Sequence, residues 1–229
     1  MRLSGDDSLA QRLMQAPGLA AVYERAWRPF LGWSLMGFDH VHVRNERRLT
    51  VEALRLRDGD VVLDVACGPG NFTAALAAAV APSGHAIGLD YSAAMLARAR
   101  RDNRHPGASY LLGDAHHLPF PDGSLDAVNC YAALYLIPDP FAAFEEMLRV
   151  LRPGGRLSVM TSLASGRWWL RPAQARALGP TGLTMFGRDE FTGRLRAHGF
   201  IEVSQELHGF AQYVSGTSPS DSGQIGGGP

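Results

Sequence analysis

The stretch Val62-Leu63-Asp64-Val65-Ala66-Cys67-Gly68-Pro69-Gly70-Asn71-Phe72-Thr73 decides the fold. Its apolar start predicts a short buried strand, and a helical pattern begins directly after the glycines. Because Gly68 and Gly70 lack Cβ, the backbone between strand and helix can take unusual dihedrals and pass close to a ligand. The unpaired N–H groups at the start of the helix favour an anion nearby. Taken alone, a plain strand-to-helix turn without a ligand remains the alternative interpretation.

Strand and helix patterns alternate through most of the chain, which predicts a parallel sheet with helices on both faces. The last two strands are joined only through His208-Gly209, so they must form an antiparallel hairpin. We therefore expect an α/β fold: a doubly wound, Rossmann-like, mostly parallel sheet of seven strands with an antiparallel terminal hairpin. The predicted strands are Val61–Val65, His85–Asp90, Ala108–Leu112, Leu125–Cys130, Arg156–Thr161, Ile201–Leu207 and Phe210–Val214, and the predicted helices are Asn71–Val80, Ala93–Asp102, Asp139–Leu151 and Asp189–His198.

Three segments lie outside this alternation. Residues 1–45 are helical in pattern and rich in aromatic side chains, which predicts an N-terminal helical cap. Within the main domain, 46–215, the segment 163–186 is a candidate lid insertion. The aromatic residues of cap and lid either cover a ligand crevice, pack helices onto the sheet or form a homodimer contact. The Ser-, Gly- and Pro-rich tail 216–229 has little to bury and is expected to be disordered.

The composition excludes several classes of function. All 22 basic residues are arginines, so a Schiff-base lysine and a phosphate-loop lysine are both absent. The formal net charge is zero, and the local excess Arg98, Arg100, Arg101 and Arg104 fits a solvated helix end, so no nucleic-acid partner is expected.

Cysteine content and hydropathy indicate a cytoplasmic protein. Cys67 and Cys130 are too few for a disulfide scaffold, and we interpret them as small buried hydrophobic residues in preference to a redox pair. No apolar run approaches the roughly 18 residues of a membrane span, and the polar, acidic beginning is unlike a signal peptide. No pattern of metal ligands is apparent, so no metal is expected.

Two further carboxylates follow the next two predicted strands. Asp90 comes twenty residues after Gly70, where a carboxylate can accept hydrogen bonds from the hydroxyls of a ribose. Asp114 ends the third strand. A dinucleotide fingerprint requires Gly or Ala where Thr73 stands, and it gives Asp114 no role. An oxidoreductase that uses NAD(P) is therefore the weaker of the two nucleotide-cofactor hypotheses.

Six sequence blocks in order resemble the class I S-adenosylmethionine-dependent methyltransferases. The similarity spans residues 46–215 and is strongest to the small-molecule branch that includes the ubiquinone and menaquinone biosynthesis methyltransferases. Ala66 stands where many members have glycine, which is a mild change if that residue needs no positive φ. The blocks are Asp64–Gly70, Gly88-Leu89-Asp90-Tyr91-Ser92, Gly113-Asp114-Ala115, Leu118-Pro119-Phe120-Pro121-Asp122, Ile137-Pro138-Asp139-Pro140 and Leu151-Arg152-Pro153-Gly154-Gly155.

The resemblance implies S-adenosyl-L-methionine as cofactor and assigns residues to each of its parts. Asp64 would lie near the methionine ammonium, and the backbone of Ala66, Gly68 and Gly70 along the methionine chain. Asp90 would hold the ribose, with Tyr91 and Met95 beside the adenosine, Asp114 and Ala115 at the adenine, and Asn129 to Tyr131 near the sulfonium. Met95 is equally explained as a core residue, and Tyr91 as a residue that packs beside the loop.

No single residue stands out as catalytic. The methyl group of the cofactor is already activated, so a general base is needed only if the acceptor must lose a proton. The candidates are His40, His42, Tyr131 and Tyr135, the last at a place where related enzymes frequently show histidine. His116 and His117 are expected at solvent-exposed edges. The resulting hypothesis is methyl transfer to a small apolar or aromatic acceptor, at oxygen, carbon or nitrogen; a non-catalytic cofactor-binding module is a further alternative.

Overall fold

The computed structural model describes residues 40–166 and 183–220. Its strands, numbered in chain order, are β1 Val61–Val65, β2 His85–Asp90, β3 Ala108–Leu112, β4 Leu125–Tyr131, β5 Leu151–Ser162, β6 Ile201–His208 and β7 Ala211–Thr217. The helices are α1 His40–Leu54, α2 Asn71–Ala79, α3 Ala93–Asp102, α4 Pro140–Val150 and α5 Glu190–Ala197, and a 3-10 turn spans Leu134–Leu136.

The strands form one seven-stranded sheet in the order β3-β2-β1-β4-β5-β7-β6. β7 runs antiparallel to both of its neighbours, and the other pairings are parallel. The predicted Rossmann-like fold with a terminal hairpin is confirmed. The antiparallel strand is inserted between β5 and β6, so that β6 forms the edge. From β1, the strands are added first on one side, as β2 and β3, and then on the other side, beginning with β4. Such a switch point forms a crevice beyond the carboxyl ends of the strands.

β5 begins earlier than the predicted Arg156. Leu151 pairs with Leu125 of β4, and the register then shifts before Arg156 pairs with Ala127. The irregularity absorbs the Pro153-Gly154-Gly155 segment. The helix has already ended at Val150, so the proline and glycines that were expected to end it lie inside the strand instead.

The ordered chain extends beyond the predicted boundary at residue 215. β7 continues to Thr217, which pairs with Arg156. Beyond it, the Ser218 carbonyl accepts from the Gly154 N–H at 3.2 Å and the Ser218 N–H donates to Gly155 at 2.8 Å. The start of the segment predicted to be disordered is therefore part of the sheet. Residues 221–229, most of the predicted cap and most of the predicted lid lie outside the described residues.

Helices cover both faces of the sheet. On one face, Leu54 of α1 and Leu76 of α2 are buried with Val62 of β1. On the other, Phe144 of α4 and Phe191 of α5 meet edge to face with ring centroids 5.0 Å apart. Burial of each such side chain stabilises the fold by about 1.5–3 kcal/mol. The packed helices therefore hold the strands, and with them their carboxyl ends, in fixed positions.

The edge strand β3 is partly capped by α3. Gly107 and Gly113 make their hydrogen bonds to β2, so the carbonyl of Tyr110 faces away from the sheet. Arg100 donates to that carbonyl, with an Nη2–O distance of 2.7 Å. No helix among the described residues is long and apolar enough to span a lipid bilayer.

Candidate active site

The glycine loop between β1 and α2 has two left-handed residues at its centre. Gly68 and Gly70 have φ values of 55° and 83°. A Cβ at Gly70 would lie 2.5 Å from the hydroxyl oxygen of Tyr110, whereas a Cβ at Gly68 would meet nothing within 4 Å. Gly70 therefore serves close packing, and Gly68 borders open space that a ligand can enter.

Ala66 also lies in the left-handed region, with φ 54°. The sequence-based expectation that alanine is a mild change depended on the absence of a positive φ, and the structure overturns that condition. A left-handed conformation costs a residue with a Cβ about 1–2 kcal/mol. The loop thus holds strain directly before its glycines.

Asp64 is a buried hub that joins three elements. One of its carboxylate oxygens accepts from the Thr73 hydroxyl of α2 at 2.6 Å, and the other accepts from the Asn129 amide of β4 at 2.7 Å. Asn129 Oδ1 is buried and has no hydrogen-bond partner among the described residues. Sequence reasoning used Thr73 only against the dinucleotide fingerprint and missed its bond to Asp64.

Asp90 joins the glycine loop to the end of β2. Its carboxylate accepts from the Gly68 N–H at 2.7 Å and from the Ser92 N–H at 2.8 Å. Burial raises the pKa of Asp90, although the two N–H bonds oppose that shift. Ser92 in turn caps α3 by accepting from the Met95 N–H. The ribose-binding role of Asp90 stays a prediction.

The two residues expected beside the adenosine differ in exposure. Tyr91 is 61% exposed, so its ring is available to a ligand. Met95 is only 4% exposed, which favours its interpretation as a core residue. Ala115, expected at the adenine, also packs into the main core.

Asp114 makes its contacts with His116. Oδ1 of Asp114 accepts from the His116 backbone N–H at 2.9 Å and lies 2.7 Å from His116 Nδ1. The other ring nitrogen, Nε2, lies 2.6 Å from the carbonyl oxygen of Pro138. The expectation that His116 is a solvent-exposed edge is therefore wrong, because its side chain is only 24% exposed. His117 is exposed, as expected.

A guanidinium holds the loop that follows Asp114. Arg149 of α4 donates to the carbonyls of Leu118 and Phe120 and to the carboxylates of Asp122 and Glu146. Glu146 also accepts from the Leu118 N–H at 2.9 Å. The i,i+3 spacing of Glu146 and Arg149 could have suggested an ion pair, but not its contact with a loop about thirty residues earlier.

Tyr131, the last residue of β4, lies in a buried aromatic group. Its ring centroid is 5.0 Å from that of Phe72 and 5.8 Å from that of Tyr213. Its hydroxyl lies 3.0 Å from Ser158 Oγ in the interior, and burial raises the pKa of Tyr131. Because this phenol retains its proton and its hydroxyl faces the interior, Tyr131 is poorly suited to act as a general base.

The other base candidates gain no support. Tyr135 is 4% exposed and lies in the 3-10 turn. The side chains of His40 and His42 lie outside the described part of the structure. Sequence reasoning missed Glu46, whose carboxylate accepts from the Tyr213 hydroxyl at 2.9 Å.

The cysteines are buried free thiols. Burial raises the pKa of both Cys67 and Cys130, so neither provides a reactive thiolate. Their interpretation as small hydrophobic residues gains support. In the described ranges no group of three or more His, Cys, Asp or Glu side chains could hold a metal ion.

Comparisons with known proteins agree with this geometry. Residues 63–159 match the family described as "Methyltransferase domain". A chloroplastic uncharacterized methyltransferase of Arabidopsis thaliana is 35% identical over 180 residues, which cover 74% of this chain and 50% of that protein. A demethylmenaquinone methyltransferase of Beutenbergia cavernae is 43% identical over 113 residues, which cover 49% of this chain and 45% of that protein.

The solved structures agree on the fold. A SAM-dependent methyltransferase from Aquifex aeolicus superposes with a TM-score of 0.61 at 19% identity, over 88% of this chain and 98% of that chain. Against the first curated relatives, in contrast, the chain spans only between a third and a half of their length.

Residues 63–159 resemble a methyltransferase domain, and the fold and the glycine loop agree with the predicted class I S-adenosylmethionine-dependent methyltransferase. Within that class, the chain resembles the quinone methyltransferases. S-adenosyl-L-methionine is the cofactor that these findings support.

Proposed function

We propose that the protein transfers the methyl group of S-adenosylmethionine to a small apolar or aromatic acceptor. The observation that carries the proposal is the Asp90 carboxylate, which fixes the glycine loop to the end of β2. This contact holds together the two segments that must meet at one nucleoside.

The side chains at the switch point fit the chemical parts of this cofactor. The unpaired Asn129 oxygen lies beside the Asp64 carboxylate and would accept from the methionine ammonium. The open space at Gly68 would admit the methionine chain. The exposed Tyr91 ring would stack on the adenine, and the half-exposed Asp114 would accept from the adenine amino group.

The chemistry requires little of the protein beyond orientation. When bound, the cofactor would supply an activated methyl group, because its sulfonium sulfur is a good leaving group. The chain's own residues bind the nucleoside, fix the line of attack and exclude water. Orientation alone can lower a barrier by several kcal/mol, up to about 7–11 in ideal cases.

An apolar or aromatic acceptor suits the residues at the end of β4 and the start of β7. Phe72, Tyr131 and Tyr213 form a continuous aromatic group there, and their neighbours Met160 and Ala211 are apolar. The names of the demethylmenaquinone methyltransferase relatives point the same way. We also propose a cytoplasmic location, because both cysteines of the chain are free thiols, as is usual in a reducing compartment.

The cofactor half of the proposal is tested by calorimetric titration with S-adenosylhomocysteine. Tyr91→Ala should weaken binding by about 0.5–1.5 kcal/mol, the scale of an aromatic stacking contact, without a change in Tm. Ile201→Ala is the matched control, because Ile201 is similarly exposed, at 55%, and lies on the opposite edge of the sheet. Wild-type protein that binds neither S-adenosylmethionine nor S-adenosylhomocysteine would overturn the proposal.

The acceptor half is tested by release of S-adenosylhomocysteine in the presence of quinol precursors, phenols and isoprenoid compounds. Turnover with a ring-bearing or apolar acceptor is the expected result. Tight cofactor binding without release in any reaction would favour a non-catalytic module instead.

A further inference from the structure

His116 bridges two loops at the adenine side of the crevice. Its Nδ1 lies 2.7 Å from Asp114 Oδ1 in the loop after β3, and its Nε2 lies 2.6 Å from the Pro138 carbonyl oxygen in the loop after β4. Both distances are those of short, charge-assisted hydrogen bonds. The side chain is only 24% exposed, so water competes weakly for these contacts.

The two partners determine the protonation state of the ring. The Pro138 oxygen is a carbonyl and carries no hydrogen. Asp114 is ionised, because the hydrogen bonds from His116 outweigh the effect of burial and lower the pKa of its carboxyl. Two acceptors require two donors, and an imidazole has two N–H groups only as the imidazolium.

These contacts also orient Asp114. The backbone N–H and the ring of His116 both reach the same oxygen, Oδ1. The carboxylate is therefore held in one rotamer, which leaves Oδ2 for another donor. The Asp114 side chain is 46% exposed, so that donor can come from a ligand.

We propose that His116, as a doubly protonated ring, is a positioning residue that aims the free oxygen of Asp114 at the amino group of the bound nucleoside and fastens the two loops together. The inference rests on the cofactor site proposed above. It adds a residue that acts through Asp114 and that need not touch the cofactor.

The charged groups around His116 set the sign of the pH dependence. Burial lowers the pKa of His116, but the contacts with Pro138 and Asp114 outweigh it, and the backbone of Asp139 adds to them, so the pKa is raised above 6.5. Electrostatic interaction with His117, which lies nearby, helps to lower the pKa of both Asp114 and Glu146. The bridge is complete below the raised pKa and loses one of its two ring contacts as the pH rises through it.

The test uses 5′-methylthioadenosine, which carries the adenine and ribose but no ionisable amino group. Its affinity is measured by calorimetry between pH 6 and pH 9 for the wild type, His116→Gln and His117→Gln. We expect the wild type to lose affinity several-fold over this range. His116→Gln should bind about tenfold more weakly at pH 6, the scale of one hydrogen bond to a charged group, and show a flat profile. His117→Gln should follow the wild type.

The analogue 5′-methylthioinosine separates positioning from general loosening of the loops. It has an oxygen in place of the adenine amino group, so the effect of His116→Gln should largely disappear with this ligand. An equal loss with both ligands, or the same pH profile in the wild type and His116→Gln, would refute the positioning role while leaving the proposed function intact. Absence of binding of methylthioadenosine and S-adenosylhomocysteine to the wild type would instead remove the proposed function itself, and the inference with it.

Discussion

Ala66 adopts the same left-handed backbone region as the two glycines that follow it in the loop. Glycine takes this conformation without steric cost, but it loses more entropy on folding. Relief of about 1–2 kcal/mol of strain against an entropic cost of about 0.5–1 kcal/mol leaves a net gain between zero and about 1.5 kcal/mol. We therefore expect Ala66→Gly to raise the free energy of unfolding, as measured by urea denaturation.

Ala78→Gly is the control for this prediction. Ala78 is an exposed residue within α2, where glycine destabilises by about 1 kcal/mol. If both substitutions lower the midpoint equally, the left-handed strain at Ala66 is not the dominant effect.

Sequence patterns predicted where the acidic residues lie, but not what they contact. Asp64, Asp90 and Asp114 lie at or just beyond the carboxyl ends of parallel strands, so their common edge is predictable from alternation alone. The φ of Ala66 and the Pro138 contact of His116 depend on packing between segments that are distant in sequence, and no local pattern encodes them. The inward hydroxyl of Tyr131 was missed for the same reason, because Ser158 belongs to the next strand.

At the scale of elements, one arginine of α4 fixes the loop 118–122. Arg149→Met keeps the length of the side chain but removes its donors to two carbonyls and two carboxylates. We expect a loss of about 1–3 kcal/mol, since these contacts are partly exposed. Hydrogen exchange of the Leu118 amide, which donates to Glu146, should accelerate.

Arg48→Met is the matched control for Arg149→Met. Arg48 pairs with Glu52 within one exposed helix, and such a pair contributes about 0.3–0.5 kcal/mol. Similar losses in the two variants would mean that the loop is held by its apolar contacts alone. The effect of Arg149 should also fade in acid, because the lowered pKa of Glu146 means that its ion pair is lost only as the pH falls below about 4.5.

The end of β7 provides a second prediction at this scale. A chain that ends at Ser215 lacks the Thr217–Arg156 pairing and the Ser218 backbone bonds to Gly154 and Gly155. With about 0.5–1.5 kcal/mol for each lost hydrogen bond, we expect it to be about 2–4 kcal/mol less stable than a chain that ends at Ser220. Equal thermal midpoints for the two chains would contradict this assignment. The composition of the tail predicted disorder from residue 216. Composition contains no information about backbone pairing with a distant glycine turn, so it could not predict the pairing of Thr217 and Ser218.

For the molecule as a whole, the balance of charge predicts its colloidal behaviour. With 22 basic and 22 acidic residues, the net charge is zero near pH 7, where mutual repulsion is weakest. We expect the solubility in polyethylene glycol to pass through a minimum near neutral pH. Replacement of the exposed Arg47 and Arg57 by Glu shifts the net charge to about −4 and should raise solubility at pH 7. A minimum that stays at pH 7 in this variant would contradict the explanation by net charge.

The cap that α3 places on β3 has a consequence beyond the single chain. An edge strand offers unpaired carbonyls and amides to any extended chain that approaches, and this is how sheets grow into fibrils. Because the Arg100 guanidinium already occupies the outward carbonyl of Tyr110, an incoming strand would have to displace a bulky cation to continue the ladder. An arginine in the last turn of α3 therefore hinders the addition of a foreign strand at the β3 edge of the sheet.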